Sequence, residues 1–257
     1  MEKMGFEHYG FQTVFGFTDS IFIKHTANDN TVLTDLSKQC ISQFLEDCQH
    51  ELNVKIEHKN RFLFTIIFDK KNRYITWTGN PVDKPILKNL DGMSRKYATW
   101  IKQQIEKIAT HLITKPYDNV IPIIREAFED LDYGRFEAKD MQFTEQLDKN
   151  PNQYPNDKDI RVKVLGLELC EGKGELVYWY ESLSNKRGYS TKVKDLSVKK
   201  YKQILWDKIE DMLEIAGYDI AATEQELISN YKDDHMANPP SMAWLSNANF
   251  QRTFYSI

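Results

Sequence analysis

Cysteine is scarce in this chain of 257 residues. Cys40, Cys48 and Cys170 are its three cysteines, and no two of them stand at C-x-x-C spacing. An odd and sparse set of cysteines excludes a disulfide framework and a cysteine zinc site, and it indicates a reducing, intracellular compartment. The six histidines form neither an H-x-x-x-H nor an H-E-x-x-H pattern, which argues against a histidine zinc centre.

Long apolar runs are also missing. The longest, Phe62–Phe68, is interrupted by Thr65, whereas a membrane-spanning helix needs about 20 apolar residues. Nothing in the sequence resembles a signal or transit peptide. A G-x-S-x-G elbow and a G-x-x-x-x-G-K-[ST] loop are absent as well. We therefore expect a soluble, cytoplasmic protein with no membrane partner.

The overall composition is that of a folded chain. Hydrophobic residues make up 41%, aromatic residues 12% and charged residues 28% of the sequence, which is outside the range of disordered, collagen-like or coiled-coil chains. At about 100 to 200 residues per domain, the length allows one large domain or two smaller ones.

The net charge of −4 conceals a strong asymmetry along the chain. Residues 54–115 contain 13 Lys and Arg against 5 Asp and Glu, and residues 161–205 contain 10 against 5, whereas the remaining segments are acidic. Two basic blocks of this kind are expected of a protein that binds a polyanion along a local track. Solvated helix faces produce similar blocks, so both interpretations stay open at this point.

The amino-terminal part predicts a sheet with one helix. Phe11–Phe15 and Ile21–Ile23 flank a polar turn and predict a β-hairpin with Thr18 and Asp19 at its tip. The apolar spacing of Leu33–Leu45 predicts an amphipathic helix. Three further segments are predicted to be strands that build a sheet with the hairpin: Val54–His58, Phe62–Phe68 and Arg73–Trp77.

The remainder is predicted to be mainly helical with a small β part. Helices are expected over Thr99–Ile113, within Pro116–Glu129 and over Val198–Ala216, and strands over Val162–Leu169 and Leu176–Tyr180. The segment Lys149–Asp159 is the most linker-like in the chain. The fold class is therefore α+β.

The sharpest local motif is Phe15-Gly16-Phe17-Thr18-Asp19-Ser20. A carboxylate at a hairpin tip is exposed and rigid, as a divalent-metal ligand must be, although Asp and Ser are also common in simple turns. The stretch resembles motif C of family B DNA polymerases, Y-G-D-T-D-S, and departs from it at Phe15 and at Phe17, which replaces the first Asp. The resemblance implies that Asp19 binds the two catalytic Mg²⁺ ions together with an Asp of motif A.

A second motif follows in the order that this family has. Lys70-Lys71-Asn72-Arg73-Tyr74 resembles the K-K-x-Y element, with one extra residue. In the family this element grips the primer-template near the primer end, which implies DNA contacts for Lys70, Lys71, Arg73 and Tyr74. Adjacent lysines at a strand start are able to meet successive phosphates, and a solvated turn is the alternative.

Later segments resemble the passage from palm to thumb. Gly92 with Arg95-Lys96 matches part of the K-G-x-E-x-x-R-R-D region, and Gly174–Tyr180 resembles the G-x-x-V-x-Y strand of the thumb. Seven basic residues from Lys186 to Lys202, against one Asp195, would line a duplex, and Lys186 and Arg187 begin this run. The resemblance divides the chain into the end of a palm at 1–98 and a thumb at 99–257.

Two motifs of the family are missing from the sequence: D-x-x-S-L-Y-P-S, motif A, and K-x-x-x-N-S-x-Y-G, motif B. The exonuclease carboxylates are missing as well. Because a polymerase site needs carboxylates from motifs A and C, the resemblance implies the small subunit of a split enzyme. Its expected partners are primer-template DNA and a large subunit with exonuclease, motif A and fingers, in a prokaryotic, archaeal or viral context.

Several alternatives stay open. The replacement of the first motif C Asp by Phe17 favours a degenerate remnant that only binds DNA or a replication partner, and an unrelated α+β protein would bind no DNA. Glu57 occupies the place of a palm glutamate, but a water-facing residue on an alternating strand is favoured. Phe250–Tyr255 resembles the aromatic end of a sliding-clamp peptide with a misplaced Gln; a packed tail is favoured over a clamp as partner.

Overall fold

The fold is known from a computed structural model. It describes residues 11–16, 21–25, 35–53, 55, 57–69, 72–154, 172–183, 188–229, 250–251 and 254–256. The described part is a mixed α+β structure with three small antiparallel sheets and five helices. No described helix has the length and hydrophobicity of a membrane span.

The first sheet contains the predicted hairpin. Strands β1 (Phe11–Gly16) and β2 (Ile21–His25) pair in antiparallel fashion. Helix α1 (Asp35–Leu52) follows and leads to β3 (Asn60–Phe62). The sheet order is β1-β2-β11-β3, so a strand from the carboxyl end, β11 (Phe254–Ser256), separates β2 from β3.

The second sheet has the order β10-β4-β5-β6. Its strands are β4 (Phe64–Ile67), β5 (Tyr74–Trp77), β6 (Ile86–Lys88) and the short β10 (Phe250–Gln251). The single prediction of a strand over 62–68 is therefore wrong in detail. The chain bends at Leu63, whose amide donates to the Trp77 carbonyl at 2.7 Å, and the two halves enter different sheets.

The segment before β3 is not a strand in its described part. Lys55, Glu57 and His58 are all exposed, and none of them pairs in a sheet. The alternation of apolar and polar residues predicted that one face of this segment would be buried, but its described side chains are all exposed. The prediction that Glu57 faces water is confirmed, since it forms an exposed ion pair with Lys55 at 3.0 Å.

Three longer helices pack together after the sheets. They are α2 (Thr99–Thr114), α3 (Ile121–Asp132) and α4 (Val198–Ile215), and the short α5 (Ile220–Glu224) follows α4. The apolar positions predicted to face the core of α2 are buried. Helix α3 begins at Ile121, after Asn119, whose side chain accepts a hydrogen bond from the Ile121 amide at 3.0 Å. Helix α4 ends before Gly217, whose φ of +87° closes it.

The third sheet is β7-β8-β9, with β7 (Phe143–Gln146), β8 (Leu176–Glu181) and β9 (Tyr189–Ser190). It packs on α4 through Phe143, whose ring lies 5.8 Å from that of Tyr201. Burial of Tyr201 raises the pKa of its hydroxyl, which donates to the Met141 carbonyl. The predicted strand over 162–169 lies outside the described residues.

The largest hydrophobic core runs across the predicted boundary at residue 98. It includes Ile66 and Ile75 of the second sheet together with buried side chains of α2, α3 and α4. Burial of aliphatic side chains contributes about 1.5–3 kcal/mol each, so these elements stabilise one another. The division into 1–98 and 99–257 stays a prediction.

Candidate metal-binding hairpin and nucleic-acid interface

The first predicted site residue belongs to the connection between β1 and β2. The strands pair up to their ends, with Phe15 opposite Phe22 and Gly16 opposite Ile21. The hairpin predicted around motif C is thus confirmed in its two strands. Asp19 itself, with Phe17, lies outside the described residues.

Both faces of this hairpin are packed. On one face, Ile23 is buried with Phe11, Phe44 and Cys48 under α1. On the other face, the ring of Phe22 lies 5.1 Å from that of Tyr74 and 6.0 Å from that of Phe62. The strands that flank motif C are therefore fixed by burial on two sides, which favours a rigid placement of any ligand between them.

The connection between β4 and β5 contains the two predicted lysines. Ile67 pairs with Tyr74, and the Phe68 amide donates to the Arg73 carbonyl at 3.2 Å. Asn72 has a φ of +61°, a conformation that asparagine tolerates, and its carbonyl accepts from the Asn89 side chain at 2.8 Å. Lys70 and Lys71 lie within this connection, outside the described residues.

Arg73 forms two ion pairs within the chain. Its guanidinium lies 3.2 Å from the carboxylate of Asp91 and 3.7 Å from that of Asp211, and its side chain is only 13% exposed. Asp91 precedes the turn at Gly92, and Asp211 belongs to α4. The arginine therefore joins the start of β5 to the last long helix.

Tyr74, the last residue of the predicted K-K-x-Y element, faces the hairpin. Its half-buried ring packs on Phe22, three residues after Asp19. The structure thus brings the end of the K-K-x-Y element and the start of β2 into direct contact. The spacing in the sequence gives no sign of this contact.

Gly92 occupies a position that favours glycine. Its φ is +79°, and a Cβ atom there would lie 2.5 Å from the Ile105 side chain of α2 and 3.1 Å from that of Lys208 on α4. A side chain at this position would strain the backbone and would require the Ile105 and Lys208 side chains to shift. The turn at Gly92 is therefore wedged between the two helices, and the exposed Arg95 and Lys96 follow it directly.

Arg95 and Lys96 line an open cleft beside the third sheet. The cleft measures about 850 Å³ and also contains Lys149 and Tyr154. The Thr144 hydroxyl of β7 donates to the Arg95 carbonyl at 2.9 Å, which holds the Arg95 backbone against the sheet. The amide of Thr144 donates to the Lys96 carbonyl at 3.0 Å, so the basic pair is attached to β7 at two points.

Arg95 and Lys96 differ in how readily their charges can meet a phosphate. The Lys96 ammonium lies 2.6 Å from the Glu145 carboxylate, whereas no ion pair of Arg95 occurs among the described residues. An exposed pair of this kind contributes about 0–1 kcal/mol to stability, so an incoming phosphate is able to compete for Lys96. Arg95 and Lys149 are cations of this cleft that form no ion pair within the described part of the chain.

The basic run from Lys186 to Lys202 divides into two groups where it is described. Lys200 bonds to Glu181 at 3.1 Å and to the Gly188 carbonyl at 2.6 Å, and Lys202 pairs with Asp132 at 2.7 Å. Three other lysines are exposed and have no ion pair within the described ranges: Lys192, Lys194 and Lys199. Lys186 and Arg187 lie outside the described residues.

The described residues do not by themselves form a metal centre. No group of three or more His, Cys, Asp or Glu residues with the arrangement of metal ligands occurs in the part of the chain that the structure describes. Asp19 would supply one hard oxygen ligand, and Mg²⁺ commonly takes one or two protein carboxylates, with phosphates and water as the rest.

Comparison with known proteins identifies the family of the chain. The model of DNA polymerase family B matches residues 1–177, which include Asp19, Lys70–Tyr74 and Arg95-Lys96. The chain belongs to DNA polymerase family B. No curated protein sequence gives a significant match.

One solved structure shows the same fold. It is the family B DNA polymerase from the hyperthermophilic archaeon Pyrobaculum calidifontis, which is similar with a TM-score of 0.54 at 13% sequence identity. The similarity covers 88% of this chain and 28% of that chain. The chain therefore spans less than a third of the length of that polymerase, and the resemblance to family B drawn from the motifs is confirmed.

Proposed function

We propose that this chain supplies the end of the palm and the thumb of a family B DNA-directed DNA polymerase, as the small subunit of a split enzyme. The observation that carries the proposal is the family match over residues 1–177, a range that contains the stretches resembling motif C and the K-K-x-Y element. The 257 residues contain neither motif A nor motif B. A partner chain would supply both, with the exonuclease and the fingers.

Asp19 is the proposed metal ligand of this chain. Together with a motif A carboxylate of the partner, it would hold Mg²⁺, which lowers the pKa of the attacking hydroxyl and stabilises charge on the transferring phosphoryl group. The chain's own contribution is to hold Asp19 in position. Burial of Phe22 and Ile23 on opposite faces of β2 supports this role, because it fixes the strand that begins directly after Ser20.

The proposed DNA contacts lie on several elements. Lys70 and Lys71 would meet phosphates near the primer end, and Arg95 and Lys96 would meet phosphates farther along the duplex. Tyr74 and Arg73 would contribute mainly by position, since Tyr74 packs on Phe22 and Arg73 pairs with Asp91 and Asp211. The thumb contacts would come from Lys186 and Arg187 and from the exposed lysines Lys192, Lys194 and Lys199.

A second candidate function is a catalytically degenerate remnant that binds DNA or a replication partner. The observation that favours it is Phe17, which stands where the family has the first carboxylate of motif C. Loss of one carboxylate weakens a two-metal site, because each metal keeps fewer anionic ligands. Both candidates predict DNA binding, and they differ in catalysis.

The experiment that tests the proposal is a reconstitution. The polypeptide that copurifies with the chain and carries motifs A and B is mixed with wild-type chain, Asp19→Ala or the control Glu46→Ala, whose side chain is exposed on α1. We expect primer extension with wild type and control, and a loss of at least about a hundredfold with Asp19→Ala. Equal extension by all three would contradict the metal role of Asp19.

The replacement Phe17→Asp separates the two candidates. A large gain of extension over wild type indicates a weakened but genuine polymerase site. If neither residue at position 17 supports extension, while salt-sensitive DNA binding persists, the chain is a remnant.

A further inference from the structure

Two cavities meet at one ion pair beside the third sheet. The outer one is the cleft of about 850 Å³ that contains Arg95, and the inner one measures about 400 Å³. Lys96 and Glu145 belong to the lining of both cavities, and their charged groups lie 2.6 Å apart. This ion pair is therefore a polar partition between the outer cleft and the inner cavity.

The two cavities lie on opposite faces of the third sheet. Thr144 of β7 lines the outer cleft, whereas Phe143, its neighbour in the strand, lines the inner cavity, as expected where side chains alternate between faces. Helix α4 contributes Ile204 to the inner cavity. A ligand that occupied both cavities would pass from one face of the sheet to the other where Lys96 meets Glu145.

The outer cleft has the charges of an anion site. Its charged lining consists of three cations and two carboxylates: Arg95, Lys96, Lys149, Glu145 and Asp148. Arg95 and Lys149 are exposed, and neither forms an ion pair within the described part of the chain. Arginine and lysine bind phosphate through charge-assisted hydrogen bonds, so the outer cleft suits a phosphate group.

Three aromatic rings contribute to the lining of the inner cavity: Tyr97, Phe143 and Trp179. The ring of Phe143 lies 5.8 Å from that of Tyr97 and 6.0 Å from that of Trp179. The Lys208 ammonium lies 5.6 Å from the centre of the Tyr97 ring. Small-molecule sites measure about 300–1,000 Å³, a range that includes this cavity. Aromatic walls bind a flat ring by stacking, whatever its exact identity.

The inner cavity contains more carboxylates than cations, with three of the former and two lysines in its lining. Glu181 accepts from the Trp179 indole at 3.0 Å and pairs with Lys200 at 3.1 Å. Asp207 accepts from the Gln203 side chain at 2.8 Å, and a carboxylate accepts further hydrogen bonds. The inner cavity therefore favours a neutral ring with N–H donors over an anion, and every nucleobase carries such a donor.

We propose that the two cavities together form a nucleotide-binding site, with the phosphate at Arg95 and Lys149 and the base in the inner cavity. The base enters when the Lys96 ammonium moves from Glu145 to the phosphate. This exchange is feasible because an exposed ion pair is weak. The ligand is a free nucleotide or an unpaired nucleotide of a DNA strand, which share this chemistry.

The first arm of the test uses free nucleotide. Wild-type chain is titrated in a calorimeter, without Mg²⁺, with dAMP and with deoxyribose 5-phosphate, which lacks the base. If the source is free nucleotide, dAMP binds at least about fivefold tighter than deoxyribose 5-phosphate, the effect of stacking one base. Equal affinity for the two probes excludes this source.

The second arm uses DNA. A duplex with one unpaired deoxyadenosine is compared with the same duplex carrying an abasic site at that position. If the source is a DNA strand, the chain prefers the duplex with the base by at least about fivefold. A chain that distinguishes neither dAMP from deoxyribose 5-phosphate nor the unpaired base from the abasic site would overturn the proposal.

Variants locate the binding in the two cavities. Ile204→Trp fills the inner cavity and should remove the preference for the base, whichever probe shows it. Lys149→Ala, at an exposed position, should weaken binding of that probe about fivefold through the lost phosphate contact. The control Lys139→Ala, an exposed lysine that lines neither cavity, should bind as wild type. If Lys149→Ala also binds as wild type, the assignment of the phosphate position is wrong and the proposal fails.

The nucleotide site is separable from the proposed polymerase site. Asp19→Ala should bind the nucleotide probe as wild type, because the two cavities use neither Asp19 nor Mg²⁺. Binding that requires Mg²⁺ and is lost in Asp19→Ala would overturn the inference. If the reconstituted wild type extends primers but shows no preference for the base, the inference fails and the polymerase assignment stands. If the base preference is found without extension, the polymerase assignment fails and the nucleotide site stands.

Discussion

The rings of Tyr74 and Phe22 meet edge to face, with centroids 5.1 Å apart and planes inclined by 64°. Tyr74 ends the proposed K-K-x-Y element, and Phe22 lies in the strand that follows the proposed motif C. The contact joins the first sheet to the second. Among the described residues, packing of these two rings connects the strand after Ser20 with the strand after Lys71.

The Tyr74–Phe22 contact should be measurable as a coupling energy. We expect Phe22→Leu and Tyr74→Leu to be non-additive in urea unfolding, with a coupling of about 0.5–1.5 kcal/mol, as aromatic pairs in contact show. The matched control pairs Phe22→Leu with Trp77→Leu, because Trp77 faces the opposite side of β5. That cycle should be additive within about 0.5 kcal/mol. Additivity of the first cycle would show that the two rings do not support each other.

Arg73 is expected to affect stability more than DNA affinity. Because its guanidinium pairs with Asp91 and Asp211, Arg73→Ala should lower the free energy of unfolding by about 1–3 kcal/mol. Lys70→Ala with Lys71→Ala should have the opposite profile, with lower affinity for primer-template and near-normal stability. The two variants are compared by urea unfolding and by DNA titration. An Arg73→Ala protein of normal stability with strongly reduced affinity would instead make Arg73 a phosphate ligand.

Two substitutions in the cleft beside the third sheet are expected to change DNA affinity in opposite directions. Arg95→Ala should weaken DNA binding for all sequences and reduce the slope of log affinity against log salt by about 1. Glu145→Gln should strengthen binding at low salt, because it releases Lys96 from its ion pair. The control is Glu126→Gln, which breaks the surface pair with Lys107 between α2 and α3. Equal responses of the Glu145 and Glu126 variants would remove the cleft from the DNA interface.

Glu210 on α4 predicts a pH dependence of stability. Partial burial raises the pKa of its carboxyl, and the nearby carboxylates Asp207, Asp211, Glu224 and Glu214 raise this pKa further. The folded chain therefore keeps this proton to a higher pH than the unfolded chain, and stability falls as the pH rises through that interval. Each like-charge pair at helical spacing costs about 0.2–0.5 kcal/mol.

The substitution Glu210→Gln should thus raise the melting temperature near pH 7 and have little effect near pH 4, where the wild-type carboxyl is protonated. The melting temperatures of both forms are compared at the two values. Glu106→Gln, at an exposed position of α2, is the control. If the substitution raised the melting temperature by the same amount at both pH values, repulsion among these carboxylates would be excluded as the cause.

The sequence predicted most elements whose local pattern is strong. The hairpin around motif C, the helix over 99–113 and the helix that Gly217 ends were all confirmed, because amphipathic spacing and turn residues act locally. The bend at Leu63 and the insertion of β11 between β2 and β3 could not be predicted. They depend on pairing between residues that are far apart in the chain, which no local pattern encodes.

The same limit applies to the candidate site. Motif spacing identified Lys70, Lys71 and Arg95 as candidate DNA contacts, but charge alone could not tell an available cation from a paired one. Arg73, Lys200 and Lys202 all carry the expected charge, yet each is neutralised by a carboxylate from another element. Only the folded structure shows that Lys192, Lys194 and Lys199 are exposed, whereas Lys200 and Lys202, among the other described residues of this run, are paired.

The salt dependence of primer-template binding tests the central claim, that this chain grips DNA as part of a polymerase, most directly. The affinity of the wild-type chain is measured at several salt concentrations, beside Lys70→Ala with Lys71→Ala. We predict that the affinity falls steeply as the salt concentration rises. In the double variant, the slope of log affinity against log salt concentration should be smaller by about 2, close to one unit for each lost phosphate contact. Absence of binding even at about 50 mM salt, where phosphate contacts are strong, would contradict the claim.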